Sequence, residues 1–137
     1  MSAKKILVVD DDPDMVELLS GVLREFGHSV VVARGGLDAL NQGRRHLPDL
    51  ILLDLMLGDM DGLSVCELLR SQRSTKSIPV VIMSALAGEM TRINSLESGA
   101  ADFLGKPFRR QEVLRLVEQV LSSDEERQAA LNAAEPV

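Results

Sequence analysis

The chain has one cysteine, two histidines, little positive charge and no long apolar run. Each shortage excludes something. A single thiol, Cys66, cannot form an internal disulfide and suits a reducing cytoplasm. No apolar stretch approaches the roughly 20 residues needed to cross a bilayer, so no membrane span is expected. The opening "MSAKKILVV" has two lysines before an apolar segment, but that segment soon meets three aspartates, which is unlike a signal peptide. A formal net charge of −6 argues against a nucleic-acid-binding surface. The "RR" pairs at 44–45 and 109–110 read as solvated helix positions. His28 and His46 are isolated, with no partner pattern for metal binding or phosphotransfer.

What the chain does have is a core. At 137 residues, 45% hydrophobic and 26% charged, it has the size and balance of one globular domain. Short aliphatic runs recur: "ILVV" at 6–9, "SVVVA" at 29–33, "LILL" at 50–53, "PVVIM" at 79–83 and "FLG" at 103–105. The first four are continuous rather than alternating, as strands buried on both faces of a parallel sheet should be. Helical periodicity fills the gaps. Met15, Leu18, Leu19, Val22, Leu23 and Phe26 make one apolar face, with Asp12 and Pro13 suited to start that helix and Gly27 to stop it. Further helices are expected over 36–45, 63–72, 89–98 and 109–121. The fourth has only Met90, Ile93 and Leu96 in step, with Gly99 as its stop. Cys66 falls on the apolar face of the third. Strands alternating with helices predict a doubly wound α/β sheet.

Such sheets carry their sites at the carboxyl ends of the strands, near the point where strand order reverses. In "DLILLDLMLGDMDG" the apolar run 50–53 ends abruptly on Asp54, and a buried carboxylate requires a partner, a proton or a metal. The other strand ends supply Asp10, Asp11 and Asp12 after the first run, Ser84 after the fourth, and Lys106 with Pro107 after the fifth. Two carboxylates about 4 Å apart repel by roughly 4 kcal/mol at an effective dielectric near 20. One lysine cannot neutralise three of them. An all-oxygen site with open positions suits Mg²⁺ together with a phosphoryl group. Asp12, Asp14, Asp59 and Asp61 are assigned instead to caps and turns, with "DG" at 61–62 as turn chemistry. "GG" at 35–36 lacks the lysine and hydroxyl of a phosphate loop.

From about Lys4 to Leu121 the sequence resembles the receiver domain of bacterial two-component response regulators. "ILVVDDDP" resembles that family's acidic-pair strand end, "PDLILLDLMLGDMDG" its phosphoacceptor segment, "PVVIMSA" its hydroxyl-bearing strand and "GAADFLGKPF" its lysine–proline strand end. The resemblance implies a flavodoxin-like (βα)5 fold with strand order 2-1-3-4-5. One departure stands out: Gly58 occupies a position where the family often has proline, which widens the backbone's choices in that loop. Ser84 keeps the hydroxyl of the commoner threonine and loses a methyl.

The resemblance also implies roles. Asp54 would accept a phosphoryl group from a phosphohistidine on a sensor histidine kinase or a histidine phosphotransfer protein. Asp11, Asp54 and the backbone carbonyl of Met56 would ligate Mg²⁺, or Mn²⁺ in its place, with Asp10 acting through a bound water. Lys106 and Ser84 would hold phosphoryl oxygens. Ser84 would draw its loop inward and Phe103 would turn with it, changing the surface of the fourth helix, fifth strand and fifth helix. A cis peptide is implied between Lys106 and Pro107. Met56 and Leu86, two places after Asp54 and Ser84, would tune the access of attacking water. On this reading the protein is a cytoplasmic signalling switch and not an enzyme beyond its own phosphotransfer and slow autodephosphorylation.

Two rivals stand beside it. "VVDDDP" also contains the D-x-D of a haloacid-dehalogenase-type phosphatase, with Asp10 as nucleophile and Asp12 as general acid. That leaves Asp54 unexplained, and no acidic pair follows Lys106. The other rival is a receiver-like module that binds a partner constitutively. Residues 122–137 read as a tail or linker, with a capping-box pattern at 123–126 and an Ala-rich segment able to extend or start a helix. They are too few for a DNA-binding output domain, so the signal would pass to a separate protein target or to an output domain outside this sequence. Homodimerisation through the face of the fourth and fifth helices is a further expectation.

Overall fold

The central strands are sandwiched between helices, which is why their apolar residues do not alternate with polar ones. The computed structural model describes residues 3–86 and 88–134. Its elements run β1 (Lys5–Val9), α1 (Pro13–Glu25), β2 (Ser29–Ala33), α2 (Gly36–His46), β3 (Leu50–Asp54), α3 (Gly62–Ser71), β4 (Val80–Ser84), α4 (Glu89–Glu97), β5 (Asp102–Gly105) and α5 (Arg110–Ala134). The five strands are all parallel, in the order β2-β1-β3-β4-β5. This is the flavodoxin-like arrangement expected from the sequence.

Because side chains alternate across a strand, each aliphatic run serves two cores. Leu7, Val9, Ile51, Leu53, Val80 and Ile82 face α2 and α3, where they meet Ala39, Leu40, Val65, Cys66 and Leu69. Ile6, Val8, Leu50, Leu52, Val81 and Met83 face α1 and α5, meeting Val16, Leu19, Leu23, Val113, Val117 and Leu121. Burying each Val, Leu, Ile or Met among them is worth about 1.5–3 kcal/mol.

Helix ends follow local chemistry. Asp12 caps α1 by accepting the Asp14 N–H at 3.0 Å, and Pro13 opens the helix. At the other end Gly27 adopts φ 89°, with its N–H on the Arg24 carbonyl and the His28 N–H on that of Leu23. That paired geometry is the Schellman stop that only a residue tolerant of left-handed backbone makes cheaply.

Two expected apolar faces need correction. Leu18 (54% exposed) and Phe26 (46%) lie off the buried stripe of α1, and the Arg110 guanidinium sits 5.7 Å from the Phe26 ring centre. In α4 the expected stripe is only partly realised, with Leu96 half-buried. Ser95 is the buried residue, while Met90 (68%) and Ile93 (37%) face solvent. Ser95 can pack close to the sheet because its hydroxyl is satisfied by the Thr91 carbonyl at 2.8 Å. Helix α5 also runs past the expected end at Leu121, continuing to Ala134. Its second half is held by a 2.9 Å ion pair between Lys4 and Glu125 and by the Arg127 guanidinium donating to the Ser77 carbonyl at 3.2 Å. Residues 135–137 of the predicted tail lie outside the described residues.

Candidate functional site

Strand order reverses between β1 and β3, whose crossovers leave to opposite faces of the sheet, so a crevice opens at their carboxyl ends. The register pairs Val9 with Leu53, which places Asp10 beside Asp54. On the other side Asp54 pairs with Met83, Ser84 with Gly105, and the Lys106 N–H donates to the Ser84 carbonyl at 2.7 Å. Sheet pairing alone therefore gathers residues far apart in sequence at one edge.

The side chains complete the arrangement. Lys106 Nζ lies 2.9 Å from Asp10 Oδ2 and 3.2 Å from Asp54 Oδ1. Asp10 and Asp54 are buried, at 1% and 6% exposure. Asp10 Oδ1 accepts the Asp12 N–H at 3.0 Å, an Asx turn that swings the chain from β1 into α1. Asp11 is thereby left exposed at the mouth. Carboxylate oxygens of Asp10, Asp11 and Asp54 all lie within 4.8 Å of one another. Ser84 is buried and its Oγ accepts the Leu86 N–H at 2.9 Å, so its own proton remains for another acceptor. Met56 follows Asp54 in the exposed loop and forms an isolated bridge with Asp61. Phe103 is half-buried against the α2/α3 core, and the Lys106–Pro107 peptide is cis.

Charge is finely balanced here. Burial pushes the Asp54 carboxyl above the usual range, and the Asp10 charge adds to this, while Lys106 and the Met56 amide pull it down. Burial also works against the Lys106 ammonium. The hydrogen bond and charge of Asp10, reinforced by Asp54, outweigh that and hold its pKa above the ordinary value. Two carboxylates at 4.8 Å repel by roughly 3 kcal/mol at an effective dielectric near 20, and one lysine must answer both. Three hard oxygen donors with one of them open to solvent fit a small divalent cation that keeps waters and accepts phosphoryl oxygens. Among the described residues no histidine or cysteine enters this cluster, so soft metals find nothing to select them.

Of the aspartates assigned to caps and turns, Asp12 and Asp61 act as caps, Asp14 lies in the first turn of α1, and Asp59 is a surprise. Asp61 caps α3 by accepting the Leu63 N–H at 3.2 Å. Asp59 reaches across instead to the start of α2, taking the Gly36 N–H at 2.8 Å and the Leu37 N–H at 3.2 Å. The signal for this was the "GG" at 35–36: a helix that begins after glycine has no side chain to cap itself. The Asp10-nucleophile arrangement is disfavoured by the same geometry. Both Asp10 oxygens are engaged, and the Asp12 carboxylate, needed there as general acid, serves as the cap of α1.

Residues 6–118 match the model of the response regulator receiver domain. The DNA-binding response regulator MtrA of Mycolicibacterium smegmatis is 40% identical over 128 residues, covering 93% of this chain and 55% of MtrA. The response regulator PleD of Caulobacter vibrioides is 49% identical over 108 residues, covering 79% of this chain and 24% of PleD. The chain thus spans from a quarter to about half the length of these relatives. Among solved structures, the receiver domain of sensor histidine kinase PA1611 from Pseudomonas aeruginosa, described with a magnesium ion in its active-site cleft, superposes with TM-score 0.81 at 30% identity, covering 88% of this chain and 99% of that one. Strand order, the acidic cluster at the β1 and β3 ends and the match over residues 6–118 converge: the chain belongs to the response regulator receiver domain family of two-component systems.

Proposed function

We propose that this domain is a phosphorylation-activated signalling switch that accepts a phosphoryl group on Asp54. The observation carrying this reading is the double engagement of Lys106 with Asp10 and Asp54 at the end of a fully buried strand. The donor is a phosphohistidine on a sensor histidine kinase or a histidine phosphotransfer protein. An Asp54 carboxylate oxygen bonds to phosphorus as the phosphorus–nitrogen bond breaks, the electron pair leaving with the donor imidazole. Asp11, Asp54 and the Met56 carbonyl would hold Mg²⁺, or Mn²⁺ in its place, with Asp10 helping through a water; the ion would supply charge neutralisation for the transfer.

The chain's own residues do the rest. Lys106 exchanges its contact with Asp54 for a phosphoryl oxygen, and the free proton of Ser84 donates to another. Positioning and charge are what phosphoryl transfer chiefly requires. Engaging Ser84 pulls on the segment carrying Leu86, whose N–H it now holds, and Phe103 moves inward from its half-buried site. That is a population shift between two packings, biased by new contacts at the phosphoryl group. Exposed Met90 and Ile93 on α4 give the switched face apolar surface with which to meet a target or a second copy. Autodephosphorylation is slow because exposed Met56 and Leu86 flank the site and offer no group to activate water.

The setting we propose is cytoplasmic, with the receiver unit ending near Leu121. The second half of α5 leads to an output domain or a separate target, as the length of the relatives suggests. Incubation with acetyl phosphate and Mg²⁺ followed by intact-mass measurement tests the reading. One phosphate adduct is expected on the wild type, absent from Asp54→Ala and abolished by EDTA. Steady turnover of a small phosphoester that survives Asp54→Ala but not Asp10→Ala would mean a phosphatase. Neither adduct nor turnover would mean a constitutive binding module.

A further inference from the structure

Helix α2 starts without a cap of its own. Gly35 at its N-cap offers no side chain, and the two leading N–H groups are taken by the Asp59 carboxylate from the β3–α3 loop, 23 and 22 residues away. The same loop carries Met56, whose carbonyl is the third metal ligand in the reading above, and Gly58, where an added Cβ would meet nothing within 4 Å. Its far end is fixed. Met56 bridges Asp61, the Gly62 N–H donates to the Leu55 carbonyl at 2.9 Å, and a Cβ on Gly62 would lie 2.6 Å from the Asp54 carbonyl. Between these anchors the loop's middle is held to the body by Asp59 and by Met60, which packs against Gly36 so closely that a Cβ there would meet it at 2.7 Å.

We propose that Asp59 is a positioning residue: its contact with α2 fixes the loop that presents the Met56 carbonyl, supplying the restraint that Gly58 does not. The inference rests on the metal role proposed for Met56. Charge suits the contact, since an anion beside a helix N-terminus is favoured by the unpaired N–H groups and the helix dipole. Placement is its second effect. The contact closes a triangle of β3, loop and α2, so the loop's course is set by a charged anchor rather than by a stiff residue within it. An exposed carboxylate that only capped a helix could be replaced by a cap inside that helix; one that positions the loop could not.

That difference is the test. Asp59→Ala and the double variant Asp59→Ala/Gly35→Ser are compared with wild type by Mg²⁺ titration in a calorimeter, thermal unfolding and hydrogen exchange of the Gly62 amide. Gly35 has extended backbone, and with Asp59 shortened a serine there has room to cap α2. Asp59→Ala is expected to lower Tm, to speed Gly62 exchange and to weaken Mg²⁺ binding by about tenfold, the low end for groups that orient a metal ligand. Adding Gly35→Ser should restore Tm and leave both other defects in place. Restoration of all three by Gly35→Ser, or unchanged Mg²⁺ affinity in Asp59→Ala, would overturn the proposal. Wild type without Mg²⁺ affinity, yet with Gly62 exchange that depends on Asp59 and not on Gly35→Ser, would overturn the metal reading while leaving the loop tether standing.

Discussion

Lys106 and Asp54, 52 residues apart, meet at 3.2 Å because β3, β4 and β5 are paired in sequence. The lysine is a fixed positive charge at the end of β5, shared with Asp10 at 2.9 Å. It holds the crevice together before any ligand arrives.

Removing that charge leaves two buried carboxylates facing each other. Lys106→Ala is expected to destabilise the protein by about 3 kcal/mol, the low end for breaking a buried pair because the site opens to solvent on one side. Chemical denaturation should show the loss, and Mg²⁺ should recover most of it. A loss indifferent to Mg²⁺ would mean that the lysine acts through packing alone.

The raised pKa of Asp54 has a sign that can be checked. In the folded state the carboxyl keeps its proton to higher pH than when unfolded, so folding binds extra protons between the two values. Stability therefore falls as pH rises through that window, from the ordinary value near 3.8 up to the raised folded-state value. Asp54→Asn removes the charge at little change in shape. It is expected to raise Tm by a few degrees at pH 7 without Mg²⁺, with the gain shrinking as pH falls towards 4. Equal Tm values across this range would show that Lys106 fully offsets the charge.

His28 gives a titration far from the site. It is buried behind β1, and its Nδ1 accepts the Lys4 N–H at 3.1 Å, which fixes the neutral form. Burial lowers its pKa below 6.5, against an opposing pull from Glu118 and Asp49. The unfolded chain then takes up a proton that the folded one refuses, so stability is lost as pH falls from about 6.5 towards the folded value. His28→Asn keeps an acceptor and removes the titration. Denaturation midpoints at pH 7 and pH 5.5 should fall further apart in wild type than in the variant.

Gly62 is the tightest point of the β3–α3 connection. A Cβ would lie 2.6 Å from the Asp54 carbonyl oxygen and 2.7 Å from the Leu55 Cα, both backbone atoms that cannot swing away. Gly62→Ala is expected to cost roughly 2–3 kcal/mol in denaturant unfolding, the scale of forced overpacking, and to slow phosphorylation by shifting Asp54. Gly58→Ala, with nothing within 4 Å, should be neutral or stabilising by about 0.5 kcal/mol through the unfolded chain.

The sheet and its crevice were readable from the sequence because strand burial is a property of short apolar runs, and strand ends fall where those runs stop. Asp10, Asp54, Ser84 and Lys106 sit where the runs placed them. Helix faces were less legible. A stripe of Met90, Ile93 and Leu96 looks buried by period alone, but α4 packs through Ser95, a small residue that carries no hydrophobic signal. Leu18 and Phe26 mislead in the same way at the edge of α1. The Asp59 contact joins the β3–α3 loop to the start of α2, 22 and 23 residues back in the chain, and only the missing cap at Gly35 hints at it. The Ala-rich segment hinted that α5 could be extended, but its contacts with Lys4 and Ser77 are long-range and no local pattern reveals them.

The central claim is that the β3 carboxylate is the acceptor, and trapping the acyl phosphate addresses it most directly. After incubation with acetyl phosphate and Mg²⁺, borohydride reduces an aspartyl phosphate to the corresponding alcohol, which peptide mass spectrometry can place. Homoserine at position 54, and at no other aspartate, is the expected result. Reduction at Asp10 or Asp11 with position 54 intact would contradict the account.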